Sequence, residues 1–163
     1  MRAALAARRL ALTSRIRVIH AGKAIDQSWV RKAEAEMARN PRYRWLGDVP
    51  GWQVRRLMGR SRLMVISSRM EGGANVVSEA IVAGLPVIGS DIAGNIGLLG
   101  EDYPGIYPVE DADALRRLLE RAEGESGFLE TLKRHCRERR FLFRPGAEFT
   151  AWKDLVQRLT RPE

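Results

Sequence analysis

The segment from residue 63 to residue 84 constrains the fold more than any other part of the chain. It begins with the apolar run Leu63-Met64-Val65-Ile66, continues through a glycine-containing loop, and ends with an apolar-rich stretch followed by Gly84. A short apolar run bounded by loop residues predicts a buried strand. A glycine after the last periodic residue predicts a helix that ends in a left-handed residue. The segment therefore predicts a strand, a tight loop and a helix over 75–83.

Similar units recur along the chain, and they predict an α/β fold. Strands are predicted at 17–21, 43–46, 63–67, 86–90 and 106–109, and helices at 28–39, 52–59, 75–83, 111–122, 126–143 and 145–159. Strands that alternate with helices form right-handed βαβ units and a parallel sheet flanked by helices, as in Rossmann-like domains. We predict a loop for the glycine-rich segment 92–105. We also predict caps at Ser28 and Ser126 for the helices that they begin.

Length and composition predict one folded domain. The chain has 163 residues, of which 45% are apolar and 29% charged, as is usual for globular domains. No apolar run approaches the roughly 20 residues that cross a bilayer. One cysteine, Cys136, excludes an internal disulfide, and His20 and His135 give little material for a zinc site. We therefore expect no metal, no cofactor, no membrane span and a cytoplasmic location.

The net charge of +8 raises the question of nucleic-acid binding. The arginines are spread over many elements, mostly at helical spacing, and no aromatic platform for single strands accompanies them. A small anionic ligand explains the excess charge equally well, so we expect no nucleic-acid partner. Residues 1–14 contain arginine, alanine and leucine without acids. They resemble an organellar targeting peptide, but an amphipathic helix of the fold is the simpler interpretation.

Two glutamates flank the loop and predict a ligand site. Glu71 follows a predicted buried strand, so its carboxylate should emerge at the carboxyl edge of the sheet, where open α/β sheets bind ligands. Gly72 and Gly73 leave the backbone open to close approach. If a helix begins near Asn75, the N–H groups of residues 75–77 are unpaired at its positive end. Carboxylates suit hydroxyl groups and free N–H groups suit an anion; a nucleotide sugar carries both.

Glu79 lies one turn further along the predicted helix. Helical side chains lean toward the amino end, so its carboxylate can reach the same ligand and accept bonds from a ribose diol. The pattern also fits a simple capped helix with Asn75 as N-cap and Glu79 as an ordinary residue of its first turns. Residue pattern alone does not separate these two interpretations.

The sequence resembles retaining glycosyltransferases of family 4, the glycosyl transferases group 1. The resemblance rests on Ser68-Arg69-Met70-Glu71-Gly72-Gly73, on Glu79-Ala80, and on Ala83-Gly84-Leu85-Pro86-Val87-Ile88, which are similar to the family's E-x7-E signature. That motif lies in the C-terminal, donor-binding half of the GT-B fold. The resemblance extends over most of the chain.

The resemblance implies a role for each residue of the motif. Glu71 would be the catalytic carboxylate that binds donor-sugar hydroxyls at the reaction centre, and Glu79 would bind the nucleotide ribose. Contacts to the donor sugar and diphosphate are implied for Arg69, Gly72, Gly73, Ala74, Asn75 and Val76, and nucleotide contacts for Gly47 and Asp48. The implied reaction is transfer from a UDP-sugar with retention and without a metal.

A narrower resemblance is to the selenosugar synthase branch of selenoneine biosynthesis, which joins a UDP-N-acetylhexosamine to selenophosphate with loss of UDP. It rests on residues 67–80 and 90–100. More typical family members have a bulky apolar residue and glycine in place of Gly73-Ala74, and an acid in the later loop in place of Gly94-Asn95.

The resemblance also implies parts that these 163 residues lack. A GT-B enzyme has an N-terminal acceptor domain, and the family has a basic pair after a strand that would precede Met1, so residues 1–12 resemble a truncated start. We expect an inactive or weakly active domain over 1–163, with helices over 111–163. Phe141, Phe143, Phe149 and Trp152 of those helices would lack their partner domain, which favours homo-oligomers.

Two other classes of function remain open. A sugar-nucleotide epimerase or a phosphorylase-type enzyme shares the GT-B frame. A basic interaction module would use the C-terminal helices to bind a partner domain or nucleic acid.

Overall fold

Parallel strands and helices alternate along the chain in a computed structural model, which describes residues 1–144 and 146–160 except the side chain of Glu148. The first half contains α1 (Arg2–Arg8), β1 (Val18–His20), α2 (Gln27–Arg39), β2 (Tyr43–Trp45), α3 (Gly51–Arg60) and β3 (Met64–Ile66). The second half contains α4 (Asn75–Ala83), β4 (Val87–Ser90), α5 (Ala93–Leu99), β5 (Ile106–Tyr107), α6 (Ala112–Gly124), α7 (Phe128–Arg139), a 3₁₀ helix (Arg140–Phe143) and α8 (Ala147–Leu159). The predicted α/β fold with parallel strands is confirmed.

The strands pair in two parallel groups. β1 pairs with β2, with Val18 opposite Tyr43, and β3 pairs with β4, which pairs with β5. Within residues 1–144 and 146–160, no pairing joins β1 to β3. Parallel strands need crossover connections, and the helices between consecutive strands supply them.

Helices cover both faces of the strands. α1 packs against α6, whereas α4 packs against α3, α5 and α7. Right-handed crossovers that progress in opposite directions along a sheet lie on opposite faces. The pair α1 and α6 therefore covers one face of the strands, and α4 with its neighbours covers the other. None of the described helices combines the length and apolarity needed to cross a membrane.

The core is centred on β4 and the helices beside it. All four residues of β4 are buried, as are the inner side chains of α4, α6 and α7. They include Val77, Ala80, Ile81, Leu115, Leu119 and Leu132. A strand buried on both faces reads as a continuous apolar run in a parallel sheet. β1 and β3 differ, because most of their residues are only half-buried and Ile19 is exposed.

The helix after the glycine loop has the predicted bounds. α4 runs from Asn75 to Ala83, and Gly84 follows it with a φ of 75°. The predicted cap residues at two other helices were wrong. Asp26, not Ser28, accepts the first N–H groups of α2, and Gly127, not Ser126, precedes α7 with a φ of 89°.

The prediction of a loop over 92–105 was wrong, because α5 occupies residues 93–99. Leu99 of this helix is buried in the core. Gly94 and Gly97 hid its helical pattern, and packing against neighbouring elements stabilises it despite their poor helix propensity. The helix predicted for 126–143 ends at Arg139 and continues as the 3₁₀ helix. The prediction that Pro145 begins the last helix lies outside the described residues.

A buried carboxylate joins α1 to α2. The side chain of Glu36 is fully buried and forms ion pairs with Arg8 at 3.1 Å and with Arg39 at 2.6 Å. The buried Asn40 amide donates to Glu36 Oε1 and to the carbonyl oxygen of Ala4. Buried charges are tolerated when their hydrogen-bonding capacity is satisfied in this way.

Candidate functional site

The loop between β3 and α4 lies at the carboxyl edge of the sheet. Glu71, Gly72 and Gly73 are all exposed there, as the sequence predicts. Gly73 has a φ of 154°, which L side chains rarely adopt, and both glycines face open space. The loop therefore presents a carboxylate and bare backbone to solvent side by side.

A chain of hydrogen bonds holds the Glu71 carboxylate in place. Ser68 Oγ donates to Glu71 Oε1, and Ser90 Oγ donates to the Ser68 carbonyl oxygen at 2.7 Å. The buried Asn95 amide in turn donates to the Ser90 carbonyl oxygen at 2.9 Å. Glu71 is thus connected through its loop to β4 and α5, which is the kind of outer support that orients functional side chains.

The first turn of α5 packs directly against this loop. A Cβ added at Gly94 would lie 2.2 Å from the Glu71 carbonyl oxygen and 3.1 Å from the Gly73 backbone nitrogen. Only glycine allows such a close approach between a helix and a backbone. Sequence reasoning missed this function of Gly94, and a spacing of 23 residues from Glu71 gives no local signal for it.

The amino end of α4 opens onto the same loop. Ala74 is the N-cap residue and gives no side-chain cap, and among the described residues no partner accepts the N–H groups of Asn75 or Val76. The predicted free N–H of Val77 was wrong, because it donates to the Ala74 carbonyl oxygen at 2.8 Å. The interpretation of Asn75 as N-cap is wrong as well. Two unpaired N–H groups remain at the positive end of the helix.

Glu79 lies on the exposed face of α4. It follows Asn75 by four residues, which places both on one side of the helix, and both are exposed. Within the described part of the chain, no hydrogen bond joins Glu79 to Glu71. The two carboxylates therefore lie on different elements, Glu71 on the loop and Glu79 on α4, and share no hydrogen-bond partner among the described residues.

Two guanidinium groups converge near the loop on a single carboxylate. Arg69 forms an ion pair with Glu110, and Arg2 at the start of α1 reaches the same Glu110 oxygen at 2.8 Å. Hydrogen bonds from Arg2 and then from Arg69 hold the pKa of Glu110 below its usual value. Sequence reasoning named Arg69 but missed Arg2 and Glu110, because 108 residues separate these two.

The predicted nucleotide contacts Gly47 and Asp48 lie at the carboxyl end of β2. Gly47 has a φ of 69°, and its carbonyl oxygen accepts the N–H of Gly22 at 2.8 Å. Asp48 is exposed. Since β2 lies beyond β1, these residues are at least about 10 Å from the end of β3. They share the edge with Glu71 but do not contact its loop.

A cavity of about 880 Å³ lies between β1 and β3, and Ser68, Glu71 and Val76 line its end near the loop. We call it the β1–β3 cavity. His20 also lines it, and its Nδ1 lies 2.8 Å from the Tyr43 hydroxyl. Burial, and then the charge of the nearby α-amino group, lower the pKa of His20. Burial raises the pKa of Tyr43 to about 12. The cavity therefore reaches the candidate site at Ser68, Glu71 and Val76.

Comparison with protein families and curated proteins gives one match. The family model described as glycosyl transferases group 1 matches residues 2–122. No curated protein matches the chain in sequence.

Comparison with solved structures supports the same fold. HepE of Anabaena, solved with UDP and glucose, is 17% identical with a TM-score of 0.72, over 86% of this chain and 38% of its own. Sucrose-phosphate synthase of Thermosynechococcus elongatus is 20% identical with a TM-score of 0.73, over 97% of this chain and 40% of its own. A GtfA/B complex is 18% identical with a TM-score of 0.69, over 87% and 29%. At these identities the likeness is one of fold, and this chain spans about two fifths or less of each solved chain.

Proposed function

The chain belongs to the glycosyl transferases group 1 family, and we propose that it is the donor-binding domain of a retaining glycosyltransferase that uses a UDP-sugar. One observation carries the proposal: an oriented carboxylate, Glu71, and a second one, Glu79, lie on either side of unpaired helix N–H groups. The solved complex of HepE with UDP and glucose supports it from outside the chain. GT-B architecture and retention follow from the resemblance of the E-x7-E segment.

The diphosphate would lie at the amino end of α4. The N–H groups of Asn75 and Val76 point to an anion there, and the exposed backbone of Gly72 and Gly73 allows close approach. Arg69 and Arg2 add positive charge at the same edge. A bound diphosphate would compete with Glu110 for these two guanidinium groups.

The donor sugar would lie over Glu71. Its carboxylate would accept hydrogen bonds from sugar hydroxyls, and Ser68 keeps it in one orientation before the ligand arrives. Preorganised groups of this kind stabilise charge as the bond to the leaving group breaks. The N–H and guanidinium groups would stabilise the leaving diphosphate, so the proposed chemistry uses no metal and no cofactor.

The nucleotide would extend away from Glu71 along the carboxyl edge. Glu79 would accept hydrogen bonds from the ribose hydroxyls, while Gly47 and Asp48 would contact the nucleotide further along. Separation of these residues from Glu71 suits a long ligand with a sugar at one end and a base at the other.

The narrower proposal is transfer from a UDP-N-acetylhexosamine to selenophosphate. Its support is the resemblance of residues 67–80 and 90–100 to the selenosugar synthase branch. We further propose a cytoplasmic location and a separate N-terminal acceptor domain as partner, so that residues 1–163 alone bind donor weakly and turn over slowly or not at all. An epimerase or phosphorylase-type enzyme and a basic interaction module are the alternatives.

Calorimetric titration with UDP and with UDP-N-acetylglucosamine tests the assignment of the two glutamates. Loss of a charged hydrogen bond costs about 1.5–3 kcal/mol, so Glu79→Ala should weaken UDP binding by about tenfold or more. Glu71→Ala should leave UDP affinity unchanged and remove any extra affinity contributed by the sugar. Glu101→Ala, which changes an exposed acid after α5, is the matched control. UDP affinity that survives Glu79→Ala intact would contradict the placement.

Thermal denaturation with a small ligand set separates the classes of function. Ligands that bind only the folded state raise the melting temperature. We expect UDP and UDP-N-acetylglucosamine to do so, and selenophosphate to add to their effect. A rise with a DNA oligonucleotide alone would instead support the interaction module.

A further inference from the structure

Asn95 of α5 is fully buried, yet only half of its side-chain amide has a partner. Its nitrogen Nδ2 donates to the Ser90 carbonyl oxygen at 2.9 Å and to Ser90 Oγ at 3.2 Å. Among the residues that the structure describes, its oxygen Oδ1 is the one buried side-chain nitrogen or oxygen atom without a hydrogen-bond partner. An unpaired buried carbonyl group destabilises a fold. The presence of an amide here therefore needs a reason other than packing.

The donating half of this amide sets the direction of the Ser90 hydroxyl. The Ser90 carbonyl oxygen does not depend on Asn95, because the N–H of Ile92 also donates to it at 2.9 Å. Ser90 Oγ accepts from Asn95 Nδ2, and a hydroxyl carries a single hydrogen. That hydrogen is then directed to the Ser68 carbonyl oxygen, which lies 2.7 Å away. The amide thus turns a rotatable hydroxyl into a fixed donor.

The chain of bonds ends on the Glu71 carboxylate. Ser68 Oγ donates to Glu71 Oε1, so the residue whose backbone Ser90 holds is also the residue that holds Glu71. Carbonyl and carboxylate oxygens only accept hydrogen bonds, which leaves each link one possible direction. Glu71 is exposed, but the amide at the far end of the chain of bonds is fully buried. The orientation of the carboxylate is therefore set from the protein interior.

Tyr107 of β5 supports the same end of β3 by a separate route. Its hydroxyl lies 2.8 Å from Ser67 Oγ and 3.3 Å from the Ile66 carbonyl oxygen. Neither contact involves Ser68. Loss of this hydroxyl should therefore loosen the end of β3 without changing the hydrogen bond that Glu71 accepts.

We propose that Asn95 is a positioning residue, which acts through the Ser90 hydroxyl to hold the Glu71 carboxylate in one orientation for the donor sugar. The part that concerns the sugar rests on the proposed function, whereas the part that concerns the orientation of Glu71 does not. Asn95 is fully buried, so it affects a ligand only through Glu71. A carboxylate that is held in place before binding loses less freedom when it accepts hydrogen bonds from hydroxyl groups.

NMR relaxation of the Glu71 methylene carbons, measured without any ligand, tests the control of its orientation. Asn95→Leu keeps a branched side chain and removes both the donor and the unpaired oxygen. We therefore expect little change in the melting temperature but greater motion of the Glu71 side chain. Ser90→Ala breaks the next link and should increase this motion in the same way, so it decides the matter if Asn95→Leu does not fold. Tyr107→Phe is the matched control and should leave the motion of Glu71 unchanged.

A double-mutant cycle tests the route from Asn95 to Glu71. Ser68→Ala removes the last link and should itself increase the motion of the Glu71 side chain. Independent effects add, whereas effects that share one route do not. Asn95→Leu should therefore cause no further motion of Glu71 in the Ser68→Ala protein.

Calorimetry tests the consequence for the ligand. In Asn95→Leu, the affinity for UDP-N-acetylglucosamine relative to UDP should fall about two- to tenfold, which corresponds to one ordinary hydrogen bond. The affinity for UDP should stay the same. If UDP does not bind to the unaltered protein, the proposed function is contradicted, and the NMR result alone decides the role of Asn95.

Any of four results would overturn the proposal. Unchanged motion of Glu71 in both Asn95→Leu and Ser90→Ala means that these residues do not orient it. Equal motion in Tyr107→Phe means that Glu71 responds to any loosening of the strand end. Additive effects of Asn95→Leu and Ser68→Ala mean that the buried amide acts by another route. An unchanged relative affinity for the UDP-sugar, despite greater motion of Glu71, means that the orientation of this carboxylate does not matter to the sugar.

Discussion

Gly94 and Glu71 are in backbone contact across 23 residues of sequence, with no room for a side chain at position 94. Gly94→Ala forces a Cβ against the Glu71 carbonyl oxygen, so either α5 or the loop must move. Overpacking of this kind costs about 1–3 kcal/mol. We expect a lower free energy of unfolding in urea and weaker UDP binding in calorimetry.

Gly97 provides the control for this substitution. It lies in the same helix, is exposed, and a Cβ there would meet nothing within 4 Å. Alanine is favoured over glycine inside a helix by about 0.5–1 kcal/mol. Gly97→Ala should therefore stabilise the protein without changing UDP affinity. If both variants behaved alike, the close approach of Gly94 would not matter to the site.

Glu110 holds Arg2 and Arg69 together, and its removal should help an anion to bind. Glu110→Gln keeps the shape but removes the charge that competes with a diphosphate for these arginines. We expect UDP affinity at low salt to rise several-fold, with less effect at high salt because of screening. Glu125→Gln, which unpairs Arg121 on α6, should have no effect. A fall in UDP affinity with Glu110→Gln would mean that the carboxylate itself contacts the ligand.

The buried Glu36 should contribute far more to the free energy of unfolding than the exposed Glu34 on the same helix. Glu36→Ala removes the partner of Arg8 and Arg39 and leaves the buried Asn40 amide with one acceptor fewer. Breaking a buried ion pair costs about 3–5 kcal/mol, and the partial exposure of both arginines places this variant at the lower end. Glu34→Ala, at an exposed position, should change the free energy of unfolding by less than about 0.5 kcal/mol. Urea denaturation measures both.

Stability should fall on mild acidification because of His20. Its pKa is lowered in the folded state by burial and by the α-amino charge, so the unfolded state binds the proton more readily. The contribution of neutral His20 to the free energy of unfolding is then fully present above the ordinary pKa of about 6.5. It is lost as the pH falls below that value. The loss is at most about 1.4 kcal/mol per pH unit, because one proton is involved. His20→Gln should flatten the dependence of stability on pH below about pH 6.5. An unchanged slope would assign the effect to other groups.

The exposed apolar side chains of α8 should drive self-association. Phe149 is 74% exposed and Trp152 60% exposed. The double variant Phe149→Ser and Trp152→Ser should reduce oligomers in analytical ultracentrifugation and leave the melting temperature nearly unchanged, since neither side chain is part of the core. A monomer at all concentrations in the unaltered protein would contradict the proposed homo-oligomer.

Local sequence determined the fold class, the order of its elements and the position of the loop. The apolar run 63–66, the glycine pair and Gly84 determine the conformation of residues close to them in sequence. Their effect on β3 and α4 can therefore be predicted without tertiary information. The exposure of Glu71 and Glu79 followed from the same local rules.

Tertiary packing decided what these local rules could not. α5 forms because Gly94 and Leu99 pack against distant parts of the chain, although its glycines predicted a loop. Arg2 reaches Glu110 only because α1 and the end of β5 meet at one edge. β1 and β3 do not pair within residues 1–144 and 146–160, and which strands become neighbours depends on the same packing. Contacts between residues far apart in sequence are set by how the elements pack together, and local pattern does not encode them.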